Sequence, residues 1–144
     1  MKKNISFIAL VLVVGLSCIA VASAGDVTTL RVKVPFEFHV GKALLPAGSY
    51  IIQMDRATHA SATGSRLVIR STTGTDRHFV AAVPGHSLQL TSGAQLAFRK
   101  YDETYFLSKV SSYGMVSEVI RSKAEKETAA RVLVPQEDIA LPAE

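Results

Sequence analysis

The chain has 144 residues, of which 48% are hydrophobic and 19% are charged, with a formal net charge of +4. This length accommodates one domain, and the composition excludes a disordered acidic protein, a collagen-like repeat and a disulfide-stapled miniprotein. Only one stretch is apolar enough to span a bilayer, which also excludes a polytopic membrane protein.

The first 24 residues have the pattern of a secretory signal peptide. Two lysines precede an uncharged apolar run, and the segment ends in the small residues 22–24, Ala-Ser-Ala. We therefore predict export through a Sec-type signal peptide, cleavage after residue 24, and a secreted or periplasmic location. Two alternatives remain open. Residues 5–22 carry no charge and are long enough for an uncleaved membrane anchor, and Cys18 could carry a lipid.

Cleavage would change the chemistry available to the mature chain. It would remove two lysines and no acid, and so lower the formal charge by two. It would also remove the single cysteine, Cys18, and with it any disulfide, thiol nucleophile or thiolate metal ligand. The remaining Lys and Arg residues form no run of the kind expected for a nucleic-acid or anionic-membrane surface. We expect no nucleic-acid partner, and a membrane partner only if the signal is retained or Cys18 is lipidated.

Residues 31–40 alternate strictly between polar and apolar side chains, which predicts a half-buried strand. The apolar face consists of Val32, Val34, Phe36, Phe38 and Val40. Because Pro35 has no N–H to donate to a neighbouring strand, we expect this strand to be an edge or to be broken there.

The rest of the chain predicts more strands and one helix. β-rich runs separated by turn residues predict strands over residues 50–55, 66–71, 78–83, 94–101, 104–110 and 115–121. Ser122 stands three residues before Glu125, a capping-box pattern that predicts a short helix over residues 122–131. We expect residues 136–144 to form a flexible tail.

These elements predict a mainly β fold within residues 25–135. Short strands at close spacing with Gly and Pro turns favour a single antiparallel β-sandwich or a partly open small β-barrel. We expect six to seven strands and a short C-terminal helix.

Two segments of the chain resemble a known group of proteins. Residues 34–41 read Val-Pro-Phe-Glu-Phe-His-Val-Gly, and residues 45–50 read Leu-Pro-Ala-Gly-Ser-Tyr. The pairing is similar to that in an uncharacterised family of small exported β-rich proteins, mostly from Acidobacteria, with a Pro-Phe-x-Phe-x-Val-Gly strand followed by Leu-Pro-Ala-Gly-x-Tyr. Residues 98–107 and the charged segment after Ser122 are similar to the same group. The resemblance implies a β fold and export, and it implies no activity.

Histidine–carboxylate pairs are the first candidates for chemistry. Glu37-x-His39 and Asp76-x-His78 each place a carboxylate and an imidazole on one face of a strand. If the two strands were neighbours, the four side chains would form a ligand set that zinc accepts. Glu37 and His39 fall on the predicted solvent face, however, and no H-x-H or H-E-x-x-H spacing occurs. We therefore predict no metal site and no cofactor.

Hydrolytic chemistry has equally little support in the sequence. Asp76 and His78 could join a serine, but the G-x-S-x-G elbow that presents such a serine is absent. Asp102 and Glu103 could serve glycoside cleavage, but they lie in a predicted hairpin loop, where acids are solvated. We predict no catalytic residues and a non-enzymatic protein.

These observations favour an exported cell-envelope β domain that acts as a binding or structural module. An open sheet has free edges, so the expected partner is an envelope protein or a second copy of the chain, paired along an edge. The alternative is a carrier of a small apolar ligand. Its pocket would be lined by aromatic residues that otherwise form the core, namely Phe36, Phe38, Tyr50, Phe98, Tyr101, Tyr105 and Phe106.

Overall fold

A computed structural model of the protein describes residues 27–55, 64–85, 93–132 and 137–144. The predicted signal peptide, residues 1–24, lies outside these ranges. The described residues form ten strands and one helix: β1 (Val27–Val34), β2 (Phe38–Val40), β3 (Ala43–Leu45), β4 (Gly48–Asp55), β5 (Ser65–Ser71), β6 (Arg77–Pro84), β7 (Ala94–Tyr101), β8 (Thr104–Ser112), β9 (Met115–Val119), α1 (Lys123–Arg131) and β10 (Glu137–Ala143). The mainly β fold with a short helix near the C-terminus is confirmed, although the strands outnumber the six or seven expected.

The alternating segment at residues 31–40 forms two strands instead of one. β1 ends at Val34 and β2 begins at Phe38, so the ladder is interrupted around Pro35. The sequence predicts an edge strand or a break at this proline, and the structure has the break. The alternation itself holds through the break: Val32, Val34, Phe38 and Val40 are buried, while the polar residues between them face solvent or are half-buried.

Eight strands form a continuous antiparallel path in the order β10-β7-β8-β9-β6-β5-β4-β1. This sheet is not closed into a barrel. The two ends of the path meet at one residue pair, where the Arg31 N–H donates to the Glu144 carbonyl at 2.6 Å and the Glu144 N–H donates to the Arg31 carbonyl at 2.8 Å. In this register the next mutually bonded pair would be Lys33 with Pro142, and Pro142 has no N–H to donate. The proline therefore prevents further backbone hydrogen bonding between β1 and β10 in that direction.

A small hairpin branches from the main path. β2 and β3 pair around Gly41, whose φ of +60° suits a glycine in a tight turn. β2 also forms a parallel bridge to β8 between His39 and Phe106, and the two rings stack with centroids 4.7 Å apart. β8 can take this extra neighbour because β9 pairs only with its second half, from Lys109 onward.

The core fills the space enclosed by the curved sheet. Its largest fully buried members come from six different strands: Leu30, Val34, Phe38, Ile52, Met54, Leu67, Ile69, Leu96, Phe98, Leu107 and Val110. Each such side chain contributes about 1.5–3 kcal/mol relative to an exposed one. Leu141 and Ala143 of β10 pack against this core, which also contains Leu30 and Val34 of β1. The core therefore joins both ends of the open path and stabilises the domain without closure of the ladder.

The C-terminal residues differ from the sequence prediction. We expected residues 136–144 to be a flexible tail, whereas residues 137–143 form β10 and pair with β7 in full antiparallel register. Leu141 and Ala143 pack against the core. Pro142 lies within this strand, and a proline is tolerated on an edge strand where its missing N–H faces away from the neighbour.

Candidate functional site

The four residues considered as metal ligands lie in different places. Glu37 is exposed between β1 and β2, and Asp76 is exposed in the turn before β6. His39 is half-buried on β2, and His78 is half-buried on β6, two strands that are not neighbours in the sheet. Within residues 27–55, 64–85, 93–132 and 137–144, no three His, Cys, Asp or Glu side chains are grouped so that they could hold a metal ion.

The acids considered for hydrolysis are solvated. Asp102 and Glu103 form the turn between β7 and β8, where both are exposed. Asp102 has a φ of +55°, a left-handed conformation that Asp tolerates in turns. The pair therefore reverses the chain between β7 and β8.

The aromatic residues pack against one another. Phe98 makes edge-to-face contacts with Phe36 and Phe38, each with centroids 5.3 Å apart, and Phe36 stacks on Tyr105 at 4.0 Å. Phe38 also meets Tyr50 edge to face at 5.2 Å. Such pairs add about 0.5–1.5 kcal/mol each beyond area burial. A ligand pocket among these rings would have to open these contacts, so the aromatic set acts as a core.

Helix α1 is attached to the sheet by buried charge. At its N-terminus the Ser122 hydroxyl accepts a hydrogen bond from the Glu125 N–H at 3.2 Å, as the capping-box pattern predicts. The Glu125 side chain does not return to the cap. It is only 2% exposed, and it accepts bonds from Arg99 Nε at 2.5 Å and Arg99 Nη2 at 3.3 Å. This bidentate pair joins α1 to β7.

Two further side chains complete this helix-docking cluster. The Tyr101 hydroxyl donates to Glu125 Oε1 at 3.3 Å, and Arg121 Nε lies 3.8 Å from the same oxygen. Burial raises the pKa of Tyr101, and the negative charge of Glu125 raises it further. The buried carboxylate therefore lies against an arginine and a neutral tyrosine, and these contacts hold the helix against the sheet.

A first groove follows the open seam of the sheet. It has a volume of about 580 Å³ and is lined from the β1 side by Val32 and Lys33 and from the β10 side by Leu141 and Pro142. We call it the seam groove. Tyr50 lies at its floor, with its hydroxyl bonded to the Pro46 carbonyl at 2.5 Å. The groove exists because Pro142 ends the pairing between β1 and β10.

A second groove has a different chemistry. It has a volume of about 540 Å³ and lies between β6, the β2–β3 turn and the segment that enters α1. We call it the basic groove, and its characteristic residues are Val40, Lys42, Arg77, Phe79, Ile120 and Arg121. Among the described residues that line it, none is acidic. Its rim is therefore cationic and its walls are largely apolar.

The outer face beside the basic groove is also cationic. Arg77 on β6 lies directly opposite Arg70 on β5, and the same row continues through Ile51 on β4 to Arg31 on β1. The Arg70 Nε is buried and has no hydrogen-bond partner among the described residues. Like charges directly opposite each other across strands destabilise a sheet. This row therefore raises the local positive potential next to the groove.

Neither groove was predicted from the sequence. The cations of the basic groove stand at positions 42, 77 and 121, so no run of basic residues reveals them. The only trace in the sequence is that Arg77 and Phe79 occupy the polar-facing positions of one strand, where a phenylalanine is unexpected.

The structure and the comparisons supply no identity beyond this geometry. In the part of the chain that the structure describes, no helix is long and apolar enough to cross a membrane. Comparisons with protein-family models, curated proteins and solved structures found no match. The resemblance to exported Acidobacteria proteins stays a prediction.

Proposed function

We propose that the protein is an exported, non-enzymatic interaction module of the cell envelope, which binds an extended segment of a partner polypeptide along the edge of β1. The observation that carries the proposal is the pairing state of this edge. β1 has eight residues, and the described residues pair its outer edge only at Arg31. An unpaired edge is a template for another strand.

Backbone geometry identifies the groups available to a partner. Because the Arg31 N–H and carbonyl point away from β4, residues two positions away on the same strand point the same way. Thr29 and Lys33 therefore direct their N–H and carbonyl groups outward. A partner strand that displaces Glu144 from Arg31 would satisfy these groups as β4 satisfies the other side of β1.

Side chains on this edge favour a particular partner sequence. Arg31 and Lys33 are exposed on the outer face of β1, whereas Leu30 and Val32 are buried on its inner face. A partner segment with acidic residues at alternate positions would match the two cations. The lysine also discourages indiscriminate pairing of the edge with other strands.

Two proline variants test the edge directly. Thr29→Pro removes an outward N–H and leaves the ladder to β4 intact, so the free energy of unfolding should change by less than about 1 kcal/mol. Leu30→Pro removes an N–H that faces β4, and should destabilise by about 3 kcal/mol or more. The matched control is Thr29→Ala, which keeps the N–H and removes the same side chain.

Photo-crosslinking in the cell envelope then tests binding. A photoreactive amino acid at position 33 should give an adduct of discrete mass, either with an envelope protein or with a second copy of the chain. The adduct should disappear in the Thr29→Pro background and persist with Thr29→Ala. Equal adducts from a reporter at position 53, on the centre of the outer face, would contradict the proposal. So would a monomer that forms no adduct from position 33.

Export is tested by the intact mass of the protein recovered from cells. We expect a chain that begins at Gly25, because the small residues before it form the cleavage pattern. A chain with a lipid on Cys18, or one that retains the first 24 residues, would replace export with membrane attachment.

A further inference from the structure

We propose that the basic groove binds one molecule of a single-chain amphipathic anion, an alkyl chain that ends in a carboxylate, sulfate or phosphate group. This site is separate from the β1 edge and does not depend on the function proposed for that edge. The inference rests on three features of the groove: its apolar walls, its cations, beside which no described acid lines the groove, and its volume.

The apolar walls of the groove include large side chains that are exposed to water. Phe79 is 62% exposed and Ile120 is 52% exposed, and both line the groove. Val40 and Val80 lie beneath them and belong to the buried core. An alkyl chain laid between Phe79 and Ile120 would remove their apolar surface from water at about 25 cal/mol per Å². A polyanion would bury little of this surface, which is why an amphiphile fits better.

The cations would hold the head group. Lys42 approaches from the β2–β3 turn and Arg77 from the start of β6, and no described acidic residue lines the groove with them. Arg70 lies directly opposite Arg77 and adds positive potential. Arg121 lies 3.8 Å from Glu125, so its charge is already shared with the helix-docking cluster. Lys42 and Arg77 are therefore the residues that would bind the anion.

The volume of the groove agrees with a small ligand. A space of about 540 Å³ falls within the range of about 300–1,000 Å³ that is typical of small-molecule sites. The bounding elements belong to three separate segments of the chain, so the groove has walls and a limited length. One ligand molecule per chain follows from these dimensions.

Titration of the isotope-labelled protein with sodium laurate, below its micelle concentration, tests the proposal by NMR. We expect saturable amide shifts concentrated around Gly41, Lys42, Phe79 and Ile120, with one ligand per chain. The cationic analogue dodecyltrimethylammonium should bind at least about tenfold more weakly, a difference of about 1.4 kcal/mol in head-group interaction.

Matched variants separate a site from general charge attraction. The double variant Lys42→Gln/Arg77→Gln should weaken laurate binding by about tenfold. The control Lys126→Gln/Arg131→Gln removes the same charge from exposed positions on α1 and should leave the affinity unchanged. Ile120→Ser should weaken both amphiphiles, because it shortens the apolar wall.

Several results would overturn the proposal. These are equal affinity of the groove variant and the wild type for laurate, equal binding of the anionic and cationic amphiphiles, and shifts centred on the seam groove. Association only with phosphatidylglycerol vesicles, without binding of monomeric laurate, would assign the cations to a membrane surface and would also overturn it. All the substituted side chains are exposed, so each variant is expected to fold, and its amide spectrum checks this directly.

Discussion

The helix-docking cluster and the basic groove both contain charged side chains, but in opposite circumstances. In the cluster, Glu125 is 2% exposed and the charges of Arg99 and Glu125 meet in a bidentate pair. In the groove, Lys42 and Arg77 lie at the surface with no described acid beside them in the lining. A buried charge must be neutralised within the protein, whereas an exposed charge can remain unpaired in solvent until a ligand binds. The first region therefore contributes to folding, and the second is free to bind.

Among the variants that test this difference, removal of the buried carboxylate should have the largest effect on the free energy of unfolding. Glu125→Gln leaves the Arg99 guanidinium, whose side chain is 13% exposed, without its counter-charge. We expect a loss of about 3–5 kcal/mol in the free energy of unfolding, measured by urea denaturation. The matched control is Glu127→Gln, whose ion pair with Lys123 is exposed and should be worth about 0.5 kcal/mol or less. Equal losses in the two variants would break the distinction between the regions.

Replacement of both Arg99 and Glu125 tests whether the loss of stability comes from a single unpaired buried charge. The double variant Arg99→Met/Glu125→Met removes the pair instead of orphaning one charge. It should recover at least about 2 kcal/mol of the loss seen with Glu125→Gln, because an apolar pair of similar volume has no desolvation cost. A double variant as unstable as the single one would mean that the charges provide geometry that apolar packing cannot replace.

The contribution of Tyr101 to the stability of the helix-docking cluster depends on pH. Its pKa is raised by burial and by Glu125, so the folded state favours the neutral phenol more than the unfolded state does. This contribution is complete below about pH 10 and is lost as the pH rises through the raised pKa. Tyr101→Phe should cost about 0.5–1.5 kcal/mol at neutral pH and should flatten the alkaline loss of stability.

Urea denaturation of the wild type and Tyr101→Phe at about pH 8 and about pH 11 measures this difference. Tyr113→Phe is the control, because the Tyr113 ring is 76% exposed in the β8–β9 turn. An alkaline loss that stays the same in Tyr101→Phe would show that other groups cause it.

The cations of the basic groove should have the smallest effect on stability. Lys42→Gln and Arg77→Gln should each change the free energy of unfolding by less than about 0.5 kcal/mol. Arg77→Gln should be slightly stabilising, since it relieves the repulsion from Arg70 on the neighbouring strand. If either variant lost more than about 1 kcal/mol in the free energy of unfolding, measured by urea denaturation, these residues would support the fold instead of being available to a ligand.

Local patterns in the sequence predicted most of the strands, and the reason is visible in individual residues. Val32, Val34, Phe38 and Val40 are buried on alternate positions because a strand turns successive side chains to opposite faces. The break between β1 and β2 lies at Pro35, where the sequence predicts an edge or an interruption.

The same local patterns misled where a long-range contact decided the outcome. The terminal position of residues 136–144 suggested a mobile tail, yet β10 pairs with β7 because Ile139 and Leu141 lie opposite Phe98 and Leu96 on that strand. Glu125 looked like a member of a capping box, but Arg99 on β7 competes for its carboxylate. In both cases the stronger partner is distant in the sequence.

The sequence alone determined the strand periodicity, the position of the helix and the interruption at Pro35, because these depend on residues within a few positions of one another. Only the tertiary structure decided that the sheet stays open between β1 and β10, that Glu125 is paired with Arg99, and that Lys42 and Arg77 share a groove with Phe79. Each of these depends on strand order. Strand order is set by the packing of the whole core, which no local pattern records.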